Sequence, residues 1–281
     1  MLRSRPGFSS PRVVRRRRKV LVRRVGFGLG AILLFVALLG AAARIPTFII
    51  SNIAVSGAST VSALELEAFV AQGLSGNHLF LFPKSHDLFY PKETIETNIL
   101  RDFPRIVEAR FRLESLDRVH LTVKEREPVA LYCGEAQAQP QNGSCYFLDG
   151  EGFIFGKAPD FSGNIFLRFF GGREATSTPM VGSRLLTADE FKRLRVFILS
   201  LEDILEESDM PEAASINDEG DVAILLLSGG KILTTRTQNF VGVQQNLASV
   251  LSSDEFQKKN LATLEYLDLR FGNKIYFKWK K

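Results

Sequence analysis

In "TFIISNIAVSG", Ile49, Ile53 and Val55 fall on one side of a two-residue repeat that stops at Ser56-Gly57, which predicts a strand and a turn. The period then lengthens to about 3.6 in "VSALELEAFVAQG", where Leu64, Leu66, Phe69 and Val70 recur at helical spacing. Ser62 with Glu65 three residues on predicts the N-cap, and Gly73 predicts the stop. A second helix is expected in "PKETIETNILRDFP", opening at Pro91 and ending before Pro104. Two strands follow, "RIVEARFRLES" and "DRVHLTVKEREPVALY", with a turn near Ser115 to Arg118. The unit reads βααββ.

Beyond Tyr132 the pattern is richer in strands. "CYFLDGEGFIFG" carries Asp149-Gly150 between apolar runs, a hairpin signal. "TADEFKRLRVFILSLEDILEES" predicts a helix capped by Thr187 and Glu190, with Phe191, Leu194, Phe197, Ile198, Leu201 and Leu205 on one face. "DVAILLLSGGKILTTR" predicts a hairpin around Ser228 to Gly230, "FVGVQQNLASVLSS" a shorter helix, and "LEYLDLRF" with "KIYFKW" a closing pair of strands. Helices on one side of an antiparallel sheet make the expected class α+β.

The start of the chain differs from all of this. Eleven of the 36 basic residues lie within the first 44 positions, which contain no acid; the remainder has 25 basic against 31 acidic residues and a net charge of −6. "VGFGLGAILLFVALLGAAA", residues 25–43, runs 19 residues without a charge. At about 1.5 Å per residue such a helix matches the ~30 Å hydrocarbon core of a bilayer. Its length favours a retained anchor over a cleaved signal, although Ala41-Ala42-Ala43 is similar to a small-residue cleavage site. Basic residues are retained on the cytoplasmic side, so residues 1–24 are expected inside and the rest outside. Topology control and contact with anionic lipid account for the "RRRRK" run more simply than nucleic-acid binding does.

The order of these elements, with "FIISNIAVSGAST", "GNHLF", "FPRIVEARFR" and above all "LTVKEREPVALY", resembles the POTRA domain of the bacterial cell-division FtsQ/DivIB family. "CYFLDGEGFIF" and "LEYLDLRFGNKIYFKW" resemble the opening and the end of that family's second domain. The resemblance implies a basic tail at 1–24, a transmembrane helix at 25–43, a POTRA domain at 46–127 and a C-terminal strand-rich domain at 128–281. It also implies a non-enzymatic scaffold at the division septum. That scaffold links cytoplasmic and extracytoplasmic division proteins, and its POTRA domain meets other membrane-embedded ones. Two stretches depart from the family pattern: "FPKSHDLFYP" is longer than the connection needs, and "CGEAQAQPQNGSC" looks like an insertion. The alternative, a POTRA-bearing translocation or outer-membrane assembly factor, requires repeated POTRA units or many amphipathic strands of about ten residues. The sequence carries neither.

Candidate chemistry is sparse. Outside the cytoplasm Cys133 and Cys145 can form a disulfide, with free thiols the alternative; two cysteines without further ligands are too few for zinc. His78 and His86 read as polar loop residues and His120 as the solvent side of a strand. Asn142-Gly143-Ser144 fits the glycosylation pattern but reads as a turn in a bacterial protein. No GxSxG, HExxH or Walker-type loop is present, and no cofactor is expected. The run Lys124 to Glu127 before Pro128 reads as a solvated junction, with a fixed interdomain angle as the sharper reading.

The last two strands raise a question of register. A two-residue turn at Gly272-Asn273 places Leu267, Leu269 and Phe271 with Lys274, Tyr276 and Lys278. A three-residue loop, Gly272 to Lys274, aligns them instead with Ile275, Phe277 and Trp279, and burial favours the latter. Tyr276, Lys278 and Lys280 then face outward, either as lysine protection of an edge or as a surface for β-augmentation. In the family the end of this domain receives a segment of FtsB, itself paired with FtsL. The resemblance places candidate contacts at Phe271, Gly272, Tyr276 and Trp279, and the edge adds Lys274, Lys278 and Lys280.

Overall fold

The computed structural model describes residues 11–78, 82–134, 145–172, 180–259, 261–272 and 274–280. The chain forms two compact units, the first of which includes an N-terminal helix α1 (Pro11–Ala42). One comprises the chain to Ile99 together with Ala109–Val123, and the other Leu100–Glu108 with Lys124–Lys281, so the two interleave in sequence where a boundary at 127/128 was expected. Within Arg18–Ala42 an 18-residue window has a mean hydropathy of 2.4 and is only 6% buried, so α1 is long and apolar enough to cross a membrane.

In the first unit β1 (Asn52–Ser56), α2 (Ala63–Gly73) and α3 (Lys92–Asp102) precede β4 (Ile106–Ser115) and β5 (Arg118–Glu125). An antiparallel pair of two-residue strands, β2 (Asn77–His78) and β3 (Phe82–Pro83), lies between the helices. The sheet order is β1-β5-β4, with β1 parallel to β5 through Ile53↔Val119 and Val55↔Leu121. Parallel neighbours need a crossover of a dozen or more residues, which the two helices supply. Leu66, Val70, Ile95, Ile99, Val119 and Leu121 fill the core, whereas Leu64 is 74% exposed and not on the buried stripe. Ser62 occupies the N-cap but makes no side-chain bond to the helix amides, so the capping box expected with Glu65 does not form.

The second unit is built on nine strands: β6 (Ala130–Tyr132), β7 (Tyr146–Leu148), β8 (Ile154–Lys157), β9 (Arg168–Gly171), β10 (Pro211–Ile216), β11 (Asp221–Leu226), β12 (Lys231–Thr235), β13 (Leu264–Phe271) and β14 (Lys274–Trp279). They lie in the order β14-β13-β12-β11-β10-β9-β6-β7-β8. The strand expected to continue through "KEREPVALY" instead ends at Glu125, and the chain re-emerges after Pro128 as β6 in the larger sheet. The sheet is mostly antiparallel, but β9–β10, β12–β13 and β6–β9 pair in parallel, a correction to the uniformly antiparallel expectation. Helix α4 (Ala188–Ser200) makes the first crossover, and α5 (Phe240–Leu251) with α6 (Asp254–Gln257) the second.

These helices form one buried cluster with the sheet, centred on Phe169, Phe191, Leu194, Ile198, Ile224 and Leu267. Thr187 and Glu190 form the predicted reciprocal cap of α4, but the helix stops at Ser200 and continues only as a 3₁₀ turn. A smaller cluster of Leu131, Phe147, Phe155 and Phe170 includes Cys133. Cys133 and Cys145 are disulfide-bonded, 4.2 Å apart at Cα. The glycosylation pattern at Asn142 lies outside the described residues.

Two expectations about charge are revised. Arg126 is not solvated: its side chain is 13% exposed, stacks 4.0 Å over Phe153, donates to the Pro104 carbonyl at 3.0 Å and pairs with Asp149. Asp149 is not a plain turn residue either, since one of its oxygens accepts the amides of Glu151 and Phe153 at 2.8 and 3.0 Å. A buried carboxylate requires such donors, and the five-residue loop between β7 and β8 is wrapped around it.

Candidate protein-binding edge

Strand β14 is the last strand at one side of the nine-stranded sheet, and among the described residues no strand pairs with its outer side. Its inner side pairs with β13 through Tyr266↔Lys278, Leu267↔Phe277 and Asp268↔Tyr276, and, nearer the turn, through Phe271↔Lys274. The connection is therefore two residues long and not the three expected. Both demands are met by a bulge: Leu269 and Arg270 together oppose Ile275, so the register slips by one between the turn and the body of the hairpin. Gly272 has φ +65°, as the first central position of a primed hairpin turn requires, and its carbonyl accepts from Asn246 of α5 at 3.3 Å.

The bulge decides which side chains share a face. Ile275, Phe277 and Trp279 pack against the helix-side core, as the alternation predicts. Phe271 does not join them. It is 57% exposed and meets the half-exposed ring of Tyr276 edge-on at 5.3 Å, because the extra residue turns it to the opposite face. The outer face of the hairpin thus presents an aromatic pair that alternation alone divides between two faces.

The lysines differ from one another. Lys278 is bound to Glu265 at 2.7 Å, and that hydrogen bond raises its pKa above the ordinary 10.5. Lys280 turns back, its amide donating to the Thr263 carbonyl at 2.7 Å and its Nζ to the Ala262 carbonyl at 2.9 Å. Lys274 is exposed beside the turn. Behind them Arg270 joins Asp268, which is 5% exposed, to Asp221. The Asp268 hydrogen bond is the chief cause that holds the guanidinium protonated well above its usual range.

The backbone geometry is specific. Because the Lys280 amide points inward to Thr263, the two-residue repeat of a strand sends the amides of Lys278, Tyr276 and Lys274 inward as well. The N–H and C=O groups of Ile275, Phe277 and Trp279 therefore face the free side. The ring of Trp279 rests on Phe256 at 5.0 Å, under the Lys259 ammonium at 4.6 Å, and its indole N–H is buried without a hydrogen-bond acceptor among the described residues. Phe256 of α6, which sequence reasoning missed, thus supports the edge from behind; the short helix that carries it is too brief for a periodic signal.

The histidines do not assemble a site. His86 is 7% exposed, which corrects its reading as a solvent-facing loop residue, and His120 bonds Ser56 at 2.7 Å and Glu114 at 2.9 Å. Among the described residues no group of three or more His, Cys, Asp or Glu is arranged to hold a metal ion. No protein-family model matches this sequence, and no curated protein is significantly similar to it.

Proposed function

We propose that this chain is a single-span membrane scaffold of bacterial cell division, of the FtsQ/DivIB kind, which acts by binding and not by catalysis. Its basic tail lies in the cytoplasm, α1 crosses the inner membrane, and the chain beyond α1 lies outside it at the division septum. The βααββ order of the first unit, with β1 parallel to β5 in a β1-β5-β4 sheet, supports a POTRA reading through which membrane-embedded division proteins dock.

The observation that carries the proposal is the open outer side of β14, beside the exposed pair Phe271 and Tyr276. A partner segment adds there as a further strand, through main-chain bonds to Ile275, Phe277 and Trp279. The partner is an FtsB-like protein paired with an FtsL-like one.

The test compares Ile275→Pro with Ile275→Ala. Both lose the side chain, but only proline removes an outward N–H, and edge strands accept proline at such positions. Losing one main-chain bond and leaving the partner's carbonyl unpaired costs roughly 1–3 kcal/mol, or about 5- to 150-fold in affinity. Capture of the FtsB-like protein encoded in the same genome should fall by that factor for Ile275→Pro relative to Ile275→Ala. Equal capture by the two folded variants would show that the partner does not use this edge.

A further inference from the structure

The stretch "FPKSHDLFYP", which exceeds the family pattern, is clasped to the residues that leave α1. The Ile50 amide donates to the Ser85 carbonyl at 2.8 Å, the Asp87 amide donates to the Phe48 carbonyl at 3.0 Å, and Ile49 bridges His86. The rings of Phe48, His86, Phe89 and Phe82 continue in a row at centroid distances of 5.9, 5.4 and 5.9 Å. His78 Nε2 donates to the Phe89 carbonyl at 3.1 Å, which fixes the far end. Beyond these contacts stand two consecutive large apolar side chains, Leu88 at 77% and Phe89 at 52% exposure.

We propose that Leu88 and Phe89 seat in the interfacial layer of the bilayer that α1 crosses, so that this loop is a second, lipid-facing contact of the ectodomain. The proposal rests on the reading of α1 as a membrane span. Chain length supports it: Phe48 is six residues beyond Ala42, and a 3₁₀ turn occupies Pro46–Phe48. The Arg44 and Ile45 amides donate to the Ala41 and Ala42 carbonyls at 3.2 Å, so the link before that turn is tight as well, and at about 2 Å per residue it reaches ~12 Å, against a headgroup layer of roughly 5–8 Å and a side chain's own length.

Charge agrees with lipid as the occupant. The loop's one acid, Asp87, is 8% exposed and turned against His86 Nδ1 at 2.8 Å, so the tip shows anionic headgroups no exposed carboxylate. Arg44, at the exit of α1, is exposed and placed to reach phosphates. Aromatic and aliphatic side chains beside such a cation are the usual composition of a membrane–water interface.

The full chain is reconstituted in lipid vesicles of plain or acyl-brominated phosphatidylcholine and phosphatidylglycerol, with no other protein present. Bromine quenches tryptophan only within contact distance. Four chains are compared: wild type, whose single tryptophan is Trp279, Phe35→Trp within α1, and the two loop reporters Phe89→Trp and Leu88→Trp. The emission added by Phe35→Trp and by Phe89→Trp should both be lost in brominated lipid, with a blue shift for the latter in plain lipid. Quenching of Phe35→Trp alone, with both loop reporters at the wavelength of indole in water, overturns the lipid contact and leaves the anchor standing. Failure to quench Phe35→Trp overturns the anchor itself. Loop reporters shielded only when a division protein is co-reconstituted assign this surface to a protein and refute the lipid proposal.

Discussion

Replacing Arg126 by Met removes one member of a pair that burial makes costly to break. Asp149 accepts from two amides and from Arg126, and the guanidinium also lies over Phe153. Arg126→Met leaves the two amides in place but deletes a charge-assisted bond of about 1.5–3 kcal/mol and a cation–π contact of about 0.5–2 kcal/mol. The expected loss is therefore ~3 kcal/mol, near the lower end of the 3–5 kcal/mol typical of breaking a buried ion pair. Asp149→Asn keeps the shape and loses the charge, and the double variant should cost less than the two single losses together, with a coupling of at least about 1.5 kcal/mol. Urea unfolding of the detergent-solubilised chain, followed by far-UV circular dichroism and Trp279 emission, measures the cycle without the ionic screening of a guanidinium salt. A coupling below about 0.5 kcal/mol, the value of an exposed pair, would refute the account of Arg126 as a buried, desolvated partner.

Three further outcomes follow from the same geometry. Thr187→Ala should cost ~1 kcal/mol through loss of the cap. The Thr187 hydroxyl is also the chief cause that lowers the Glu190 pKa below its ordinary 4.5, so this stability is present above that pH and fades as pH falls through the lowered folded value; an equal penalty in strong acid and at neutrality would contradict it. Gly171→Ala should destabilise by roughly 2–4 kcal/mol, because the residue sits at φ +66° and an added Cβ lies 2.0 Å from the Ile216 carbonyl oxygen; an unchanged urea midpoint would dispose of that reasoning. Reducing the Cys133–Cys145 bond, which closes a short loop, should lower stability by about 2–3 kcal/mol, read as the urea midpoint with and without dithiothreitol, and coincident curves would count against it.

Periodicity was enough to find α2, α4 and α5, because each buries a stripe that recurs every three or four residues, and the prolines at its two ends marked α3. Periodicity also marked the hairpin strands, whose buried positions alternate. Short elements escaped it: α6 spans Asp254–Gln257, and its one buried anchor, Phe256, is invisible as a pattern although it supports Trp279. Of the seven residues first assigned to the edge, Phe271 and Tyr276 form its exposed aromatic pair, Lys274 is exposed beside Gly272 at the turn, Lys278 and Lys280 are tied back, and Trp279 leans inward. Alternation alone set Phe271 on the core side, because a bulge changes facing without changing composition.

The sequence by itself determined the apolar helix, the α+β class, the sites of most elements and the helix-facing side of β14, since these follow from local spacing of apolar residues and from one uncharged run. Tertiary structure alone decided the order of the nine strands, that three of their pairs are parallel, and that Arg126 turns from a solvated charge into a buried partner of Asp149. Those outcomes depend on which distant segments meet, and strand order and charge burial carry no periodic signature in the chain.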